Sequence, residues 1–148
     1  MPSESLPSCE FHAKDTVLKL ERSIPADVEH IAPVVEDVMA LVREMKCAEG
    51  KEFEVDLALR EALANAVVHG AKHDRGKKVQ FCVACAPSTG LLIVVRDPGE
   101  GFDPASIPDC CVGQNVYSTH GRGIFLINQL MDEVKFERGG TEIHMRKF

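Results

Sequence analysis

Between residues 54 and 70 the chain places Val55, Ala58, Leu59, Ala62, Leu63, Ala66 and Val67 at the i, i+3, i+4 and i+7 spacing of one helical face, and Gly70 then stops the pattern. A helix of this kind must lay its apolar face on a second layer, so the remaining chain has to supply a core on one side of it. Two polar residues interrupt the simple reading. At roughly 100° per residue, Glu61 and Asn65 fall together beside the apolar face, with Leu57, Ala64 and Val68 on their far side. A carboxylate and a carboxamide four residues apart can point into one shared pocket. Burying a charge is costly unless it is paired or held by a ligand, so the placement asks for a reason. The helix alone leaves two open: a hydrogen-bonded structural pair, or a ligand site.

The rest of the chain supplies the second layer. Residues 1–15 carry no period and read as a loose lead-in to one domain over residues 16–148. With 148 residues, 45% of them hydrophobic, the chain can bury one real core, and nothing suggests a second domain. Residues 16–24 alternate as a first strand that Pro25 ends, and Asp27 is placed to cap a helix. The stripe of that helix, Val28, Ile31, Val34, Val35, Val38, Leu41, Val42 and Met45, runs to about Cys47, with Pro33 a candidate kink in its first turns. After Gly70 a polar turn leads into strands over residues 78–86 and 91–96, joined by a Pro87-Ser88-Thr89-Gly90 loop. The second strand is a continuous apolar run, Leu91, Leu92, Ile93, Val94 and Val95, as expected of a strand covered on both faces. Residues 98–120 lose all periodicity, and so long a loop in a small domain is usually functional or mobile. Gly121-Arg122-Gly123 then opens a short helix over residues 124–131, with Ile124, Phe125, Ile127, Leu130 and Met131 inward, and a hairpin around Gly139-Gly140 closes the chain. This order implies an α/β two-layer sandwich: a mainly antiparallel mixed sheet with helices on one face.

Composition narrows the function. Lys and Arg number 17 against 23 Asp and Glu, a net charge of -6, which weighs against a protein built to grip phosphate backbones; no direct nucleic acid partner is expected. A protein partner or a small ligand fits better, and a metal-bound anion can still dock where the local field favours it. No run of about 20 apolar residues is present, and Met1, Pro2, Ser3, Glu4 and Ser5 do not begin a signal peptide, so a cytoplasmic protein with no membrane association is expected. Of the six cysteines, Cys82 and Cys85 should point to opposite faces of a strand, and Cys110 and Cys111 are too close for an ordinary bridge. Free thiols are therefore expected. His69 and His73 are four apart, but Gly70 lies between them and no third ligand suggests itself, so they read as surface or capping residues rather than a metal pair.

Two further motifs carry chemistry. Asp97 ends the buried strand and is followed by Gly99 and Gly101; glycines let a flat ligand approach the backbone, and the carboxylate can accept from an exocyclic amine. Any acidic glycine turn looks similar when taken alone. Gly121-Arg122-Gly123 before a helix offers phosphate free N–H groups, the positive end of the helix dipole and a guanidinium, although glycines also merely punctuate helices. The chain has no Gly-x-x-x-x-Gly-Lys-Ser/Thr, which excludes a P-loop.

In their order and spacing these three weak signals resemble, over residues 53–148, the Bergerat-fold (GHKL, histidine-kinase-like ATPase) superfamily of histidine kinases, gyrase B, Hsp90 and MutL. More particularly, Glu61-Ala-Leu-Ala-Asn65-Ala-Val-Val-His-Gly70, Arg96-Asp97-Pro-Gly99-Glu-Gly101-Phe-Asp and Gly121-Arg-Gly123-Ile-Phe-Leu-Ile with Leu130-Met-Asp-Glu-Val resemble the stand-alone anti-sigma factor serine/threonine-protein kinases. The resemblance implies ATP and Mg²⁺ as cofactors and a mobile ATP lid over about residues 102–120. It implies that Asn65 holds the metal on the ATP phosphates and that Asp97 accepts from the adenine amine. Gly99 and Gly101 would admit the base, and Thr141 would support it. Gly121, Arg122 and Gly123 would lie at the phosphates, and Glu61 would be the catalytic base for a serine hydroxyl. The implied partners are a STAS-domain anti-anti-sigma factor, which is phosphorylated, and a sigma factor, which is sequestered, with a homodimer common among such proteins. One departure stands out: sporulation-type members carry an arginine just before the Gly-x-Gly, where this chain has Thr119 and His120. A non-catalytic ATP-binding module that only sequesters a partner is therefore the alternative reading.

Overall fold

A computed structural model describes residues 14–99 and 119–148. The lead-in up to residue 13, Gly101, and all but the last two positions of the expected lid lie outside them. Among the described residues the strands form one five-stranded sheet in the order β1-β2-β3-β5-β4. The strands are β1 (Leu18–Pro25), β2 (Lys78–Ala86), β3 (Gly90–Arg96), β4 (Glu133–Glu137) and β5 (Glu142–Lys147). Every pairing is antiparallel, so the sheet is not mixed. Three helices, α1 (Ile31–Glu44), α2 (Glu52–Asn65) and α3 (Thr119–Leu130), accompany it, with α2 packed against both α1 and α3. This is the expected two-layer α/β sandwich.

Period-2 and period-3.6 patterns meet in the core. Val79, Phe81, Val83 and Cys85 of β2 and Leu91, Ile93 and Val95 of β3 share one buried cluster with Val35, Val38, Met39 and Val42 of α1 and Val55, Leu59 and Leu63 of α2. The alternate residues Cys82, Ala84, Ala86, Leu92 and Val94 form a separate buried cluster. β3 is central, as its unbroken apolar run requires.

The ends of α1 depart from the sequence stripe. Residues Val28–His30 form a 3-10 turn capped by Asp27, whose carboxylate accepts from Glu29 N at 3.1 Å, and the tighter winding leaves Val28 47% exposed. Pro33 sits in the first turn of α1, where its missing N–H is no loss. Beyond Asn65, α2 widens into a π-helical turn, Ala66–Gly70, with Ala71 N donating to Ala66 O at 2.8 Å. At the far end of the chain, Lys147 Nζ donates to Leu130 O at 2.5 Å, which places a cation on the last carbonyls of α3.

The free-thiol expectation is overturned. Cys47, in the turn after α1, and Cys85 of β2 are joined in a disulfide with their Cα atoms 6.0 Å apart. The two are 38 residues apart in sequence and meet only because α1 packs across the sheet, which spacing rules cannot register. Cys82, on the opposite face of β2 as its alternation requires, is disulfide-bonded as well.

Candidate functional site

The central strand ends at Arg96 and delivers Asp97 to the end of the sheet, between its two edges. Asp97 N donates to Thr141 O at 2.8 Å, which stitches the residue after β3 to the residue before β5. The Asp97 carboxylate accepts from Gly99 N at 2.7 Å. Burial raises its pKa above the ordinary value, with the Gly99 N–H pulling the other way. A close approach of backbone explains two glycines here. A Cβ on Gly70 would lie 2.4 Å from Asp97 Cγ, and one on Gly99 would lie 2.4 Å from the Gly70 carbonyl oxygen. The end of the π turn and the Asp97 turn therefore fit only without side chains at both positions.

On the other side of α2, α3 closes on the polar pair. A Cβ on Gly123 would lie 3.1 Å from both the Asn65 amide group and Glu61 Oε2, so the backbone of α3 passes directly over the two side chains. Between these two contacts opens a cavity of about 270 Å³. Asn65, His69, Gly70, Asp97, Gly140 and Thr141 supply its polar and backbone lining; Ala62, Ala66, Val95, Ile124, Ile127, Phe136 and Ile143 supply an apolar wall. A slot with one apolar wall and a few convergent polar groups is suited to a small ligand that has one greasy face and one hydrogen-bonding edge. Thr141 also donates from Oγ1 to Arg138 O at 2.8 Å, which anchors the bend Arg138–Gly140 beside the slot.

Of the residues singled out in the sequence, Asn65, Asp97 and Thr141 thus line one cavity, Glu61 lies one turn before Asn65 under Gly123, and Gly99 packs on Gly70. Arg122 is exposed. α3 begins at Thr119, so Gly121 and Arg122 lie inside its first turn and Gly123 just past it, rather than all three ahead of the helix. The unsatisfied N–H groups of a helix belong to that first turn, so Gly121 keeps such a donor while Gly123 lies beyond them. His69 is the clearest revision. Expected at the surface or in a cap, it lines the cavity, and burial together with the charge of His73 lowers its pKa. Its signal was present as the third member of the four-residue series Glu61, Asn65, His69. Phe136 and the α3 isoleucines carried no site signal, because apolar residues on a hairpin and a helix read simply as core.

No group of three or more His, Cys, Asp or Glu side chains is arranged to hold a metal among the described residues, so a cation here would rest on the Asn65 carboxamide oxygen and on oxygens of the ligand. An oxygen donor of that kind suits Mg²⁺.

An antiparallel α/β sandwich whose central strand ends on a carboxylate beside such a slot, faced by a carboxamide and a carboxylate on the neighbouring helix, has the layout of a nucleotide-binding ATPase-type domain. The histidine kinase-like ATPase domain matches residues 24–147, and the chain belongs to that family. Membership implies use of ATP. Among individual proteins, the chain is 26% identical over 138 residues to "Serine-protein kinase RsbW" of Bacillus subtilis (strain 168), covering 87% of this chain and 84% of the relative. It is 28% identical over 139 residues to the protein of the same name from Bacillus licheniformis, again covering 87% and 84%. The protein of that name from Bacillus thuringiensis (strain Al Hakam) is 28% identical over 137 residues, covering 88% and 84%. No described helix is long and apolar enough to cross a membrane.

Proposed function

We propose that this chain is an ATP-dependent protein serine/threonine kinase that phosphorylates a STAS-type anti-anti-sigma factor and sequesters a sigma factor in the cytoplasm, as one domain over residues 16–148 with a lid at about 102–120. The observation that carries the reading is the meeting of Glu61, Asn65 and Gly123 beside the cavity that Asp97 and Thr141 line. The similarity to proteins named serine-protein kinases supports it.

In this reading Asp97 and Thr141 take the adenine edge against the apolar wall, with Gly99 and Gly101 admitting the ring. Gly121 and Arg122, in the first turn of α3, and Gly123, just past it, face the phosphates. Mg²⁺ bound at Asn65 supplies charge neutralisation of the phosphate oxygens. Glu61 removes the proton as the partner's serine oxygen bonds to the γ-phosphorus and the bond to ADP breaks. A positioned base is worth about two to four powers of ten in rate, so Glu61→Ala should abolish transfer while leaving nucleotide affinity largely intact.

A specific observation favours a second reading. The arginine that sporulation-type kinases carry before the Gly-x-Gly is replaced by Thr119 and His120, and Arg122 is exposed. Without a guanidinium on the terminal phosphate the same domain would bind ATP and act only by holding its partner. Intact-mass spectrometry separates the two. A candidate STAS protein from the same genome is incubated with the chain and Mg-ATP, with Glu61→Ala as control. A gain of one phosphate, absent in the control, establishes the kinase; a nucleotide-dependent complex with no gain establishes the sequestering module.

A further inference from the structure

The chain has a net charge of -6, yet four of its 17 Lys and Arg residues fall within residues 72–78, against the single acid Asp74. All seven residues are exposed. Asp74 is engaged inside the loop, where its carboxylate accepts from Gly76 N at 2.9 Å. Arg75 reaches Asp27 at 3.1 Å while its side chain stays 74% exposed. Among the described residues, Lys72, Lys77 and Lys78 form no ion pair. The loop therefore projects a local field opposite in sign to that of the whole molecule.

The loop is also held in one shape. Lys72 and His73 take consecutive left-handed conformations, with φ of 53° and 60°, which residues bearing a Cβ avoid. His73 N donates to Val67 O at 3.0 Å, Asp74 N to Ala71 O at 3.0 Å and Lys77 N to Asp74 O at 2.9 Å. Ala26 N donates to Lys77 O at 3.0 Å and fastens the loop to the residue after β1. Backbone strain that the surroundings enforce at an exposed place points to function, and a charged surface ordered in advance binds without an ordering cost. The loop begins two residues after Gly70, which lines the cavity and lies against Asp97. Glu61 stands nine residues before Gly70 on the same helical run, about 14 Å away at 1.5 Å per residue. A folded partner of about 100 residues has a radius of gyration of about 13 Å, so one such protein spans from the loop to Glu61.

We propose that residues 72–78 are the docking ledge for an acidic face of the protein that the chain phosphorylates. This rests on the reading of the chain as a protein kinase. Exposed cations of this kind act mainly on encounter, and salt screens them. A protein fits the ledge better than a nucleic acid does, because the acidic remainder of the surface repels a phosphate backbone that runs beyond the loop.

The test uses the full chain with Mg-ATP and the candidate STAS protein from the same genome. The unsubstituted chain is compared with the triple reversal Lys72→Glu/Lys77→Glu/Lys78→Glu and the neutral triple Lys72→Gln/Lys77→Gln/Lys78→Gln. Thermal melts and ATP titrations verify the fold and the nucleotide site. KM for the STAS protein, kcat and the Kd of the complex are read at about 0.1 M and about 1 M sodium chloride, where the screening length is about 10 Å and about 3 Å. At the lower salt the reversal should raise KM and Kd about tenfold or more, and the neutral triple by less, with kcat and ATP affinity unchanged. The gap should close at the higher salt. KM and Kd that ignore the reversal, or rise by the same factor at both salts, overturn the ledge and leave the kinase reading standing. Where a complex forms without transfer, Kd alone decides by the same criteria. A short DNA duplex that binds the unsubstituted chain, and is weakened by the reversal while the STAS protein is not, also overturns the proposal. Failure of the unsubstituted chain to bind the STAS protein overturns the partner reading and this inference with it.

Discussion

Asp97 is held in a place that does not suit its charge. It is half-buried, its carboxyl has one hydrogen bond from Gly99 N, and the balance raises its pKa above 3.8. The folded state then holds its proton more tightly than the unfolded chain, so stability falls as pH rises from the unfolded pKa through the raised folded one, and stays lowered at neutral pH. Asp97→Asn removes that penalty. The ligand-free variant should melt above the unsubstituted chain at pH 7, with the difference vanishing below about pH 3.8, where both side chains are neutral. The same variant should bind ATP about ten- to a hundredfold more weakly, the scale of a lost hydrogen bond to a charged group. Melts across pH together with calorimetry check both arms, and a variant that is less stable and binds normally would sink the assignment. Asp97 was legible in the sequence because an apolar strand can end in only one place. His69 was legible only in part: the four-residue series Glu61, Asn65, His69 marked it, but the π turn that follows Asn65 leaves no signature in the spacing of apolar residues.

Among the elements, the strands were the most legible. β2 runs over Lys78–Ala86 as its alternation indicates, and β3 begins one residue before the apolar run, at Gly90, whose φ of 83° turns the hairpin. Helix ends were less legible, since Met45 at the end of the α1 stripe is 38% exposed and α3 starts five residues before Ile124. The Cys47–Cys85 bridge was invisible for a different reason, being a property of how α1 lies on the sheet and not of either element. It ties the turn that leads into α2 to β2, closing a loop of 38 residues. On a chain-entropy basis a loop of that size is worth about 3–4 kcal/mol of stability. Reduction should therefore lower the melting temperature, and in the Cys47→Ser/Cys85→Ser double variant a reductant should have no effect through this bridge. Alkylation mapping of the denatured, unreduced chain should find Cys47 and Cys85 blocked; free thiols at both would show that the bridge does not form.

At the scale of the molecule, the slot is supported from behind by the other face of the sheet. Glu142 is buried there and accepts from Arg96 at 2.8 Å, with His144 also at 2.8 Å. Arg96 and Glu142 are the chain neighbours of Asp97 and Thr141, so this cross-strand pair of β3 and β5 pins the two strand ends whose next residues line the slot. Burial works to raise the Glu142 pKa, but the bonds from His144 and Arg96 outweigh it and hold the carboxyl below its ordinary 4.5. A depressed carboxyl contributes stability that is present above the unfolded pKa and is lost as pH falls through the folded one, so the contribution disappears in the window extending downward from about pH 4.5. Glu142→Gln should cost about 1–3 kcal/mol at pH 7, where a charged acceptor is lost between two donors. The cost should shrink as the unsubstituted chain is titrated through that acid window. Because the pair braces Asp97 and Thr141, the variant should also bind ATP more weakly at pH 7 than its melting temperature alone accounts for. A loss of stability with unchanged affinity would separate the outer face of the sheet from the site and leave Asp97 held by Gly70 and Gly99 alone.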